Sequence, residues 1–155
     1  GHLTHMPAHI YIHTGDFDRA AYANELSIKA DESYLAQRPH KGLVKLMYYP
    51  HNIHFLSFAR ACQGNYKEAK KAANKLAFFV EPELEQMPML EGFAVFPLMI
   101  DLRFHRWDDL LAVDEPMPKR MATRLFRHYA RAMASAAGMK PALSLIHISE
   151  PTRPY

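Results

Sequence analysis

One six-residue pattern occurs twice in this chain and constrains its fold more than any other feature. Gly15-Asp16-Phe17-Asp18-Arg19-Ala20 and Gly64-Asn65-Tyr66-Lys67-Glu68-Ala69 both read Gly-x-aromatic-x-x-Ala, and Ala23 then matches Ala72. A weaker third copy, His105-Arg106-Trp107-Asp108-Asp109-Leu110, keeps the aromatic and an apolar residue but loses the glycine. A fourth begins near Tyr129-Ala130-Arg131-Ala132 and reaches Gly138. Self-similarity of this kind marks an array of supersecondary units rather than a single irregular core. The unit has a physical logic. An apolar helix ends at a glycine, which tolerates the left-handed backbone needed there. The aromatic plugs the gap to the next helix, and the alanine lets the two helices approach closely.

The pattern predicts helices over about 5–14, 17–30, 50–63, 66–79, 89–104, 107–112 and 118–137. Pro50 and Pro118 open their helices in the tolerated first turn. Pro7 and Pro97 occupy equivalent places in the first and third units. Each is acceptable only if its helix starts a few residues upstream, with Thr4 as a possible cap for the first. That separates His2 from the helix carrying His9. Residues 31 to 49 form an insertion, with Arg38-Pro39-His40-Lys41-Gly42 as its loop.

This unit resembles the tetratricopeptide repeat, a helix-turn-helix of roughly 34 residues. The resemblance implies an all-α fold of helix-turn-helix repeats stacked as an α-solenoid, about three and a half units over residues 1–142. His-Leu-Thr-His-Met-Pro-Ala-His-Ile-Tyr and Tyr-Tyr-Pro-His-Asn-Ile-His-Phe are, more narrowly, similar to bacterial repeat proteins of this class without an assigned activity. The run Leu143 to Arg153 resembles a translated transposase-type sequencing adapter, so residues 143–155 are set aside as a non-native tail. The expectation is therefore a fragment whose parent continues past about Ala142 and begins before Gly1, and His147 leaves the argument.

Bulk properties exclude several classes. The chain has 155 residues, 49% hydrophobic and 23% charged, an ordinary globular composition. A net charge of +3 without a basic stripe does not argue for nucleic acid. The single cysteine, Cys62, excludes an internal disulfide framework and a thiolate-only zinc site. No apolar run approaches a membrane span. Cytoplasm and periplasm both stay open.

Histidine carries the chemistry. His2, His5, His9 and His13 share an arc of roughly 80° on a helix, and His51, His54, Phe58 and Cys62 repeat the same phases. In the repeat family, the first helix of each unit lines a concave groove that binds peptides. The resemblance places His5, His9, Ile12 and His13 there, then His51, His54, Phe58, Ala61 and Cys62. Further along come Val95, Met99, Leu102 and Arg103, and then His128. Tyr11 falls on the opposite face.

Two functional readings follow, and a third is structural. In the favoured one, His5, His9, Ile12, His13, His51, His54, Phe58, Arg103 and His128 contact a protein or peptide ligand. In the alternative, His5, His9, His13, His51 and His54 hold a divalent metal such as zinc, with Asp101 as a supporting carboxylate. His5-Met6-Pro7-Ala8-His9 contains no glutamate, so the metalloprotease motif is absent. In the structural reading, His54 and His128 merely bridge helix junctions. No catalytic residue is expected: Cys62 reads as inert packing, and no phosphate loop or Ser-His-Asp order is present. Lys67, Lys70, Lys71 and Lys75 read as a solvated outer face.

Overall fold

The computed structural model describes residues 1–38 and 42–138, and these residues are helical with no strand among them. The helices are α1 (His2–His13), α2 (Phe17–Gln37), α3 (Tyr49–Cys62), α4 (Tyr66–Val80), α5 (Glu91–Ala94), α6 (Phe96–Arg103), α7 (Trp107–Ala112) and α8 (Met121–Ala137). Each long helix packs chiefly on its neighbours in sequence, α1 on α2, α2 on α3, α3 on α4 and α4 on α6, with α7 packed on α8.

The repeated motif makes the same turn three times. Gly15 and Gly64 adopt φ of +78° and +73°, and His105 takes the equivalent place at +55°. Each is followed by a residue whose N–H reaches back five positions. Asp16 donates to Tyr11 O at 2.8 Å, Asn65 to Arg60 O at 3.0 Å and Arg106 to Asp101 O at 2.9 Å. That bond satisfies a helix-end carbonyl and sets the angle of the next helix. The second motif residue then caps that helix: Asp16 Oδ1 accepts from Arg19 N–H and Asn65 Oδ1 from Glu68 N–H. The alanines are where backbones meet. Ala20 and Ala69 are fully buried, Ala20 in a cluster with Ala8, Ala21, Ala23 and Ala59, Ala69 with Ala61, Ala73 and Ile100. Leu110 replaces alanine in the third copy and packs on Leu98, Ala130 and Ala134.

Four boundaries differ from the sequence reading. Helix α1 starts at His2, with Thr4 and His5 N–H both on Gly1 O, and carries the solvent-exposed Pro7 inside it. His2 therefore belongs to the same helix as His9. Helix α2 runs on to Gln37 through most of the supposed insertion, and a π-helical turn, Val44–Tyr48, leads into α3. Polar ties across the helix pair explain this: buried Asn52 donates to Asp31 at 2.7 Å, and Tyr49 Oη donates to Glu32 at 2.9 Å. Pro39, His40 and Lys41 of the expected loop lie outside the described residues. The helix expected over 89–104 is broken at Val95, giving a 3-10 turn (Pro88–Leu90), α5 and α6, with Pro97 in the first turn of α6. The last helix begins at Met121 rather than Pro118. The adapter-like run 143–155 lies outside the described residues.

The lysine strip is not wholly solvated. Lys70 Nζ bonds Pro97 O at 3.0 Å and pairs with the buried carboxylate of Asp101, which also accepts from Tyr66 Oη at 3.0 Å. Asp101 is thus committed to the α4–α6 seam and does not support the histidines, contrary to the sequence expectation.

Candidate functional site

The helical phases bring the histidines of α1 and α3 face to face, with α2 behind them. His5 is fully buried, and its ring stands 4.7 Å from those of both His9 and His51. His9 and His51 are half-buried and stack at 5.6 Å. One ring nitrogen from each of His5, His9 and His51 lies within 4.8 Å of the other two. Phe55 forms a floor, at 4.8 Å from the ring of His5, 4.5 Å from His9 and 4.6 Å from His51.

Hydrogen bonding fixes which nitrogens point inward. Asn24, on α2, donates its Nδ2 to Ala20 O at 2.7 Å, so its Oδ1 is the atom that faces His5 Nδ1, also at 2.7 Å. His5 Nδ1–H must therefore donate, leaving a lone pair on Nε2. That nitrogen faces His9 Nε2 at 2.9 Å, so His9 supplies the proton of this contact. Burial, above all, lowers the basicity of His5. Burial followed by the neighbouring His5 and His54 pushes His51 down to about 4, and burial with His5 does the same to His54. His5, His51 and His54 are thereby held as neutral imidazoles at pH 7, the form that ligates metals and accepts hydrogen bonds.

The other expected residues divide by position. A cleft of about 360 Å³ opens between α1, α3 and α6, lined by His9, Ile12, His13, His54, Phe55, Phe58, Phe96 and Met99. His54 packs edge-on against Phe96 at 4.2 Å. The five proposed metal ligands thus separate into a close trio and two cleft-wall rings, His13 and His54, with His9 common to both. His5 and His51 are not among the cleft-lining residues. Arg103, one turn beyond Met99 on α6, has its Nη2 3.8 Å from Cys62 Sγ and is not among the cleft-lining residues. His128 is exposed on α8 beside Glu115 at 3.8 Å, not in the cleft. Val95 is core, and Leu102 packs into the cluster around Leu110. His2 stacks on Tyr48 at 4.2 Å, beyond the trio.

Sequence reasoning missed Asn24, Phe55 and Phe96. Phe55 was findable, being four residues after His51 on the same helical face. No described helix is long and apolar enough to cross a membrane. A comparison with protein families, curated proteins and solved structures finds no match for the chain.

Proposed function

We propose that this chain is a helical-repeat binding module of the tetratricopeptide type, taking a short peptide segment with a large apolar side chain into the α1–α3–α6 cleft. The observation that carries this reading is the cleft's lining: five large apolar side chains and three imidazoles, with no carboxylate, ammonium or guanidinium among them. Such a surface favours a neutral, apolar anchor, while His9 and His13 offer hydrogen bonds to peptide groups. Phe58 and Met99 remain 39% and 37% exposed, so their apolar area is there for a ligand to cover. The turn repeated at Gly15, Gly64 and His105 supports the stacked-repeat reading, because it joins α1 to α2, α3 to α4 and α6 to α7 by the same backbone geometry.

A displayed library of random peptides, selected on the protein and counter-selected on Phe58→Ala, tests this. Enriched sequences should share an apolar anchor, and a fluorescent peptide of that sequence should bind Phe58→Ala or Met99→Ala roughly 10-fold more weakly. No enrichment over the variant, or equal affinity for all three proteins, overturns the proposal.

A further inference from the structure

We propose that His5, His9 and His51 form a binding site for a single divalent transition-metal ion, zinc(II) by chemical preference, with Asn24 as the residue that orients it. This rests on the trio and Asn24, and His9 is the one residue that the trio shares with the cleft.

Geometry is the first support. Tetrahedral zinc with bonds of 2.0–2.1 Å holds its ligand nitrogens about 3.4 Å apart. The His5–His9 pair, at 2.9 Å, needs to open slightly, and the limit of 4.8 Å on the trio means His51 closes in by rotation about its own side-chain bonds. His51 and His9 are half-buried, so both have room for that adjustment. His5 and His9 lie one turn apart on α1, which fixes their spacing without a flexible loop.

The second support is the partner behind His5. A ligating histidine characteristically donates its other ring N–H to an oxygen that sets the tautomer and ring orientation. Asn24 does this: it is fully buried, its amide is locked by Ala20 O, and its Oδ1 holds the His5 Nδ1 proton. His5 Nε2 is left as a lone pair that accepts from His9. A purely structural histidine buried between helices would use both nitrogens on fixed protein groups. Here the second nitrogen meets only another imidazole, and a third imidazole closes over the pair.

The donor set selects the ion. Three imidazole nitrogens and no carboxylate disfavour magnesium and calcium, which require oxygen, and suit zinc, copper, nickel or cobalt. Binding exchanges the His9 Nε2 proton for the metal. That ring then carries its proton on Nδ1. Three protein ligands leave a fourth position for water.

The test uses the full 155-residue chain without an affinity tag, stripped by chelator. Cobalt(II) is titrated in and followed by its visible absorption, then displaced with zinc(II). One equivalent should give the intense bands of four-coordinate cobalt, and zinc should abolish them. His9→Ala and His51→Ala should lose the bands while retaining helical circular dichroism, and His13→Ala should keep them. Asn24→Ala should weaken cobalt binding by roughly 10–100-fold. Asn24→Asp, which still accepts the His5 proton and in its protonated form still donates to Ala20 O, should restore much of it. The proposal fails if the wild-type chain shows no such bands. It also fails if His13→Ala abolishes them as fully as His9→Ala, or if folded Asn24→Ala and Asn24→Asp both bind as wild type. Loss of peptide binding in Phe58→Ala leaves this readout unchanged, so the two proposals fail separately.

Discussion

His54 shows how a single ring couples burial to pH. Its Nδ1 is buried without a hydrogen-bond partner, and Phe55, Phe93 and Phe96 surround the ring. Charging it in that setting costs more than in water, which lowers its pKa from 6.5 to about 4. The sign follows from proton counting. Between pH 6.5 and 4 the unfolded chain binds a proton at this site that the folded chain refuses. Stability is therefore complete above 6.5 and falls as the pH drops toward 4. Residual solvent contact screens the loss to on the order of 1–2 kcal/mol. Thermal unfolding of chelator-treated protein should show the melting temperature falling across this window. His54→Leu should reduce the slope in that window, leaving the share that His51 carries, with the pH 7 value nearly unchanged. A slope that persists undiminished in His54→Leu would assign the titration to other groups. The stripe of histidines was legible because a 3.6-residue period forces those positions onto one face. The division into trio and cleft wall was not, because it depends on which side of α3 turns toward α1. Asn24 was invisible for a related reason: a polar residue amid alanines means nothing until its partner is known.

At the scale of elements, the motif's glycine was read from sequence for the right reason, and its remaining letters were under-read. Asp16 and Asn65 were treated as arbitrary, yet each caps the following helix. The weaker third copy keeps the turn without glycine, with His105 in the left-handed region and its ring stacked on Trp107 at 4.9 Å. Polar ties, not apolar periodicity, extend α2 past Ala30, which is why pattern reading stopped it there. Lys70 was misread because a lysine strip on a helix face looks uniformly solvated until a neighbouring helix brings a buried carboxylate. The turn itself gives a clean experiment, since a Cβ built on Gly64 or Gly42 meets no atom within 4 Å. Space is equal at the two sites, and only Gly64 has a positive φ, +73°. Gly64→Ala should cost about 1 kcal/mol and lower the melting temperature by about 2–4 °C. Gly42→Ala should be neutral or slightly stabilising. Equal effects in the two variants would remove the left-handed turn as the cause.

Across the whole molecule, the first and last described helices present their apolar residues outward. Leu3, Met6 and Ile10 run along the outer face of α1, and Met121, Leu125, Tyr129 and Met133 recur every fourth residue along α8. Leu3 is 86% exposed and Leu125 68%, and on each of these two helices the exposed apolar residues line up along one face. On the stacked-repeat reading proposed above, such stripes are the kind of face that one unit offers to another. Two such stripes on one small chain act as adhesive patches in water. The 155-residue chain should accordingly self-associate as concentration rises, detected as an increasing weight-average sedimentation coefficient. Ile10→Lys and Leu125→Lys should each shift association to higher concentration, and together should leave a monomer with unchanged helical content. The two substitutions lie on different faces, so a head-to-tail contact between α1 of one copy and α8 of another is disrupted by either alone. A contact between like faces loses only the copies joined through the altered helix. A chain that stays monomeric at every concentration, or associates equally well with both lysines in place, would mean that these stripes are ordinary exposed side chains and not stacking faces.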